Sequence, residues 1–195
     1  MQGYFDEAGN YMAYSIADVA AGSQLCTYYA DCTNPSFLFA RYGFLDHSAP
    51  ATFCKYIVEN PSPELVQMGY DTSTMLFYKE SGDVAECVWD VLLYQILGEQ
   101  QQQVGEQQAL YQAHMVGDTA TKQALHGQYW TWTLAALLTH VDDFLQQLDE
   151  LSGRAEGRDL TVHPRLPLIL EHNEFVKETF FKVRANLVAM QQQSS

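Results

Sequence analysis

Two stretches of this chain repeat apolar residues at alternating steps of four and three. Leu134, Leu138, Val141, Leu145 and Leu148 form the first, and Val176, Phe180, Val183, Leu187 and Met190 the second. On a helix, such positions gather into one stripe that must be buried against another. The spacing predicts helices over Thr119–Leu151 and Arg165–Gln193. A Gly/Arg/Asp loop at 153–164 would join them as an antiparallel pair packed along heptad-like seams.

The remainder is read around that pair. Val84–Leu97 is apolar around much of its circumference, which predicts a helix central to the bundle. Gln100–Gln112 is glutamine-rich and reads as a helix with a solvated face. Residues 1–30 read as β: a strand over Asn10–Val19 after a Gly9-Asn10 turn, a second turn at Ala20–Ser23, then a short strand over Leu25–Tyr29. A compact helix follows, with Asn34 as N-cap, Pro35 at its first position and Gly43 as the left-handed residue that ends it. Phe37, Leu38 and Tyr42 can form its inner face. Cys54–Val58 and Thr74–Tyr78 are further strand candidates, separated by the breaker Asn60-Pro61-Ser62-Pro63. The expected class is α+β, mostly α: short β-hairpins and one helix in residues 1–50, then an α-helical bundle over 51–195. A domain boundary is expected near residues 47–62, after which the composition changes.

Charge narrows the partners. Of 195 residues only 10 are Lys or Arg, against 24 Asp and Glu, a net charge of −14. Nucleic-acid binding needs clustered cations, so it is not expected. An acidic surface would tolerate or attract a Lys-rich protein. Cys26, Cys32, Cys54 and Cys87 include no Cys-x-x-Cys pair, and no paired histidines stand beside them, so no metal site is expected. No apolar run approaches the roughly 20 residues of a membrane span. With no signal peptide at its start, the chain reads as an intracellular, soluble protein with reduced thiols.

Generic catalytic patterns are lacking. There is no Gly-x-Ser-x-Gly elbow, no P-loop and no Gly-x-Gly-x-x-Gly. His47 and Cys54 lie close in sequence, but nothing orients them as base and nucleophile. His114, His126, His140, His163 and His172 read as surface or partner-contacting residues. Asp142-Asp143 and Asp149-Glu150 read as a solvated helix face. What remains is aromatic: Tyr28-Tyr29 at a strand end and Tyr42-Gly43-Phe44 at a helix end. Such aromatics are commonly core, yet a tyrosine hydroxyl at a strand end can also bond an amine.

The run Asp18-Val19-Ala20-Ala21-Gly22-Ser23-Gln24-Leu25-Cys26-Thr27-Tyr28-Tyr29 resembles the end of a SET domain. So does Thr33-Asn34-Pro35-Ser36-Phe37-Leu38-Phe39-Ala40-Arg41-Tyr42-Gly43-Phe44, which follows it after a polar loop. The segment Tyr4–Tyr11 resembles the hairpin before that motif, and Leu168–Leu187 resembles part of the helical substrate-binding domain in the Rubisco-methyltransferase type of SET protein. Ala30 stands where the family usually has Gly, and Thr33-Asn34-Pro35 where it usually has Ser-Asn.

The resemblance implies an S-adenosylmethionine-dependent protein-lysine N-methyltransferase. Tyr29 would be its catalytic hydroxyl, Tyr42 a wall of the substrate-lysine channel and Phe44 a ring against the cofactor. The partner would be a protein bearing a target lysine, with no nucleic acid, membrane or metal involved. The family's Gly-rich cofactor segment and Asn-His motif would fall upstream of residue 1. This chain alone is therefore expected to hold an incomplete pocket and to be inactive. The alternative is a non-catalytic helical interaction module derived from such an enzyme.

Overall fold

A computed structural model describes residues 2–15, 17–23, 33–100 and 103–193. Contacts divide the chain into two units, Met1–Asp31 and Cys32–Ser195. Among the described residues the architecture is α+β and mostly helical, with seven helices and two antiparallel strand pairs.

The first unit holds β1 (Gln2–Phe5) and β2 (Tyr11–Tyr14), paired so that Gln2 opposes Tyr14 and Phe5 opposes Tyr11. Asp6 organises the turn: its Oδ1 accepts from the amides of Ala8 at 3.0 Å and Asn10 at 2.8 Å. The strand expected over Asn10–Val19 ends early, at Tyr14. The second expected turn is present, closed by the Ser23 amide on the Ala20 carbonyl at 3.1 Å. The strand expected over Leu25–Tyr29, and with it Tyr29, lies outside the described residues.

The second unit begins with α1 (Pro35–Tyr42). Strands β3 (Ala51–Phe53) and β4 (Leu76–Tyr78) then form a short buried ladder, with α2 (Pro63–Gln67) between them. The strand expected at Cys54–Val58 lies instead at Ala51–Phe53. Lys55 at φ 59° turns the chain out of an extended path. Helix α2 was not anticipated. Its signal is local: the Ser62 hydroxyl accepts from the Leu65 amide, Pro63 occupies the first turn, and Glu64 is the first-turn acid.

Helices α3 (Glu86–Glu99), α4 (Val104–Val116), α5 (Thr119–Gln128), α6 (Trp130–Ala155) and α7 (Leu166–Gln193) complete the unit. α3 is central, as its sequence suggests, with Val88, Val91, Leu92, Leu93 and Leu97 buried. The single helix expected over Thr119–Leu151 is two helices, because the chain serves two cores. Leu125 and Tyr129 join Met68, Leu93, Leu97 and Leu110 in one cluster. Leu134, Leu137, Val141, Leu145 and Leu148 face α7 in the other. The heptad seam starts only at Leu134, so it never specified the direction of residues 119–128.

Helices α6 and α7 form the expected antiparallel pair. Arg184 pairs with Asp142 and Lys177 with Asp149, so carboxylates read as a solvated face bind cations of the facing helix. Phe180, from α7, meets Phe77, from β4, edge-on at 5.0 Å. Gly82, at φ 71°, lies so near α7 that a Cβ would come within 2.8 Å of the Lys182 carbonyl. The two-stranded ladder is thereby pressed onto the helical pair.

Candidate functional site

Two of the residues singled out by sequence, Tyr42 and Phe44, stand at the C-terminal end of α1. Asn34 caps the helix, its Oδ1 accepting from the Ser36 amide at 3.1 Å. Gly43, at φ 74°, closes it through its amide on the Phe39 carbonyl at 2.9 Å. Asn34→Ala should therefore lower the stability of this unit by about 1 kcal/mol, measured by urea unfolding. An unchanged midpoint would mean that packing alone sets this helix.

Leu38 is buried as expected. Tyr42 is not on the inner face: it is 42% exposed. It sits one turn beyond Leu38, past the edge of the surface that α1 covers. Phe44 is 40% exposed, and its ring stacks beside that of Tyr42 with centroids 6.3 Å apart. The Arg41 guanidinium lies 5.6 Å from the Tyr42 ring centre. The left-handed turn at Gly43 thus sets two aromatic rings side by side on the surface. Tyr29, the third residue of the expected site, is outside the described residues.

The opposite side of α1 is fixed to the bundle by a polar cluster that sequence reasoning missed. Lys55 Nζ donates to Ser36 Oγ at 3.2 Å, and that hydroxyl lies 3.0 Å from His172 Nε2 on α7. Burial, reinforced by the charge of Lys55, pushes the His172 imidazole down to about 4. It is neutral at pH 7 and shares a hydrogen bond with the serine hydroxyl. Burial lowers Lys55 as well. A serine bonded to a neutral imidazole has the geometry of a nucleophile with its base. Here the imidazole is only 9% exposed, and the Phe39 ring stacks on it at 4.3 Å. The relay lies within the packing of α1 against α7, and its effect is to hold α1 in place.

Four other histidines, His47, His114, His126 and His140, also have their rings engaged within the chain, whereas His163 is exposed. His140 Nε2 lies 2.8 Å from the Cys54 carbonyl, and burial lowers its pKa. His47 bonds Glu171 rather than Cys54. Burial pushes the Cys54 thiol up to about 12, which leaves it inert.

His114 and His126 reach Asp90, a carboxylate on α3 that is 1% exposed. His126 Nε2 lies 2.8 Å from Asp90 Oδ1, Lys122 Nζ 2.7 Å from Oδ2, and His114 Nδ1 3.4 Å from Oδ2. Burial opposes ionisation of Asp90, but hydrogen bonds from His126 and Lys122 outweigh it and hold the carboxyl below its ordinary value. The Lys122 ammonium supplies the cation, and no group able to hold a metal is found among the described residues. Nor is any described helix long and apolar enough to cross a membrane.

Comparison of the chain with protein families, with curated proteins and with solved structures finds no match.

Proposed function

We propose that this chain is the C-terminal part of an S-adenosylmethionine-dependent protein-lysine N-methyltransferase, its helical bundle binding the protein substrate. The observation that carries this reading is the pair Tyr42 and Phe44. The two rings stand exposed beside each other at the end of a helix that is capped at both ends and bonded to α7. An aromatic pair held rigidly at the surface is the wall that a lysine side chain or a sulfonium cation packs against. The described residues fit one side of such a group. When bound, S-adenosylmethionine supplies the methyl group as an electrophile. Phe44 would pack against the cofactor, Tyr42 would line the path of the lysine, and the Tyr29 hydroxyl would bond the target amine and align it.

In the protein as the cell makes it, Tyr29→Phe should reduce methyl transfer to a protein lysine by about 100-fold, the loss typical of one aligned donor. Cofactor binding, followed by calorimetry, should stay nearly unchanged in that variant, whereas Phe44→Ala should weaken it. Undiminished transfer by Tyr29→Phe would refute the catalytic assignment.

A helical interaction module without catalysis is the second reading. It is favoured by the two cores of the bundle, which are built wholly from residues between Leu45 and Met190. It requires that the protein bind a partner while giving no heat with S-adenosylmethionine.

A further inference from the structure

The α6–α7 loop concentrates positive charge in a chain that has little of it. Arg154, Arg158, His163 and Arg165 line a cavity of about 560 Å³ whose walls include Leu151 and Ile169. The three arginines are three of the 10 basic residues that the whole chain contains. Of the other seven, four pair with carboxylates: Lys79 with Glu178, Lys122 with Asp90, Lys177 with Asp149 and Arg184 with Asp142. Among the described residues no ion pair joins Arg154, Arg158 or Arg165 to an acid. The loop's own Asp159 is turned onto Thr161, whose amide and hydroxyl bond it at 2.8 and 2.7 Å.

A helix end accounts for only part of this cluster. Arg154 and Arg158 stand at the C-terminus of α6, where a cation is favoured, and Arg158 Nε donates to the Arg154 carbonyl at 3.2 Å. Arg165 and His163 stand at the other wall, just before the N-terminus of α7. A cation is disfavoured there, and the first turn of α7 carries no acid to offset it. Arg165 also lines a second cavity, of about 250 Å³, together with Arg41 and Tyr42. The two cavities meet at Arg165.

We propose that this groove binds an acidic, partly apolar peptide segment of a partner protein. Guanidinium groups grip carboxylates through paired hydrogen bonds, and the apolar walls suit a leucine or phenylalanine side chain between them. Nucleic acid fits poorly, because the charge of −14 repels a polyanion and the basic area is one pocket rather than a track. A bare phosphate would leave the apolar walls uncovered. The proposal does not rest on the methyl-transfer reading, although a segment seated here would lie close to Tyr42.

The test is fluorescence anisotropy on the whole chain, with a short fluorescein-labelled peptide of Glu residues around a central Leu-Phe pair. Saturable binding that weakens as salt is raised is expected. Arg154→Gln, Arg158→Gln and Arg165→Gln combined should lower affinity by about tenfold or more, while Lys182→Gln should not. Circular dichroism checks that the combined variant is folded. If it is not, Arg165→Glu set against the charge-keeping Arg165→Lys gives the same contrast. Absence of saturable binding, equal binding of a Gln-for-Glu peptide, or affinity unaltered by the arginine changes would overturn the proposal. Displacement of the peptide by inorganic phosphate alone would also overturn it, reassigning the groove to a small anion.

Discussion

Asp90→Ala should destabilise the helical unit by about 3–5 kcal/mol, read from urea unfolding at neutral pH. The carboxylate is the hub of three helices. It projects from α3, is bonded by Lys122 and His126 on α5, and lies 3.4 Å from His114 Nδ1 on α4. Its removal strands a largely buried Lys122 ammonium, which keeps only the exposed Glu86 as partner. Breaking one side of a buried ion pair is costly because the remaining charge stays desolvated. Asp90→Asn keeps the shape and an acceptor but not the charge, so its loss should be smaller, about 1–3 kcal/mol. The folded-state pKa of Asp90 lies below its ordinary value. Its stabilisation is therefore full above the unfolded pKa near 4 and fades as pH falls through the folded value. The gap between wild type and Asp90→Ala should narrow in acid. A loss below about 1 kcal/mol at neutral pH would show that water already shares this carboxylate.

The second large effect concerns His172. Above about pH 7 its imidazole is neutral in both the folded and unfolded chains. Below the ordinary value of 6.5 the unfolded imidazole takes up a proton, while the folded one, pushed down to about 4, does not. The unfolded state then binds more protons, so stability declines as pH falls from 6.5 towards 4. A displacement of this size corresponds to a loss of up to about 3 kcal/mol. The half-buried His140 is lowered by burial too and acts in the same direction. The polar groups facing His172 are Lys55, the Ser36 hydroxyl and the Asn173 side chain; the last favours protonation, but protonation would place a second cation beside the Lys55 ammonium. Unfolding measured at about pH 8 and again at about pH 5 should show the decline, and His172→Gln should remove most of it. An identical slope in that variant would move the titration to other groups.

These two clusters mark where the sequence stops being legible. The α6–α7 seam could be read because its periodicity is local and its partner carries the same periodicity. The helix between Asn34 and Gly43 could be read because both ends announce themselves in backbone chemistry. The break at Tyr129 could not, because it depends on which core a side chain joins. Asp90, His114, Lys122 and His126 come from three helices, and no spacing rule links them. Ser36 and His172 stand 136 positions apart. Arg154, Arg158 and Arg165 are close in sequence, but a loop's composition does not say that its cations lack partners. The net charge pointed towards basic partners, while the groove is a local exception to that average. Of the aromatic trio, Tyr42 and Phe44 do come together, and the exposure of Tyr42 was hidden by its helical spacing from Leu38.

The place of α7 in the chain has a consequence for biosynthesis. Its buried face covers residues made much earlier: Phe77 of β4, the imidazole-bonded serine of α1, and Leu137 and Val141 of α6. During translation α7 leaves the ribosome after every other helix of this unit. Until it does, β3, β4 and the seam of α6 lack the cover that α7 gives them, and that part of their apolar surface is open to chaperones and to neighbouring nascent chains. Among the described helices of this unit, the one made latest is the one that closes its core.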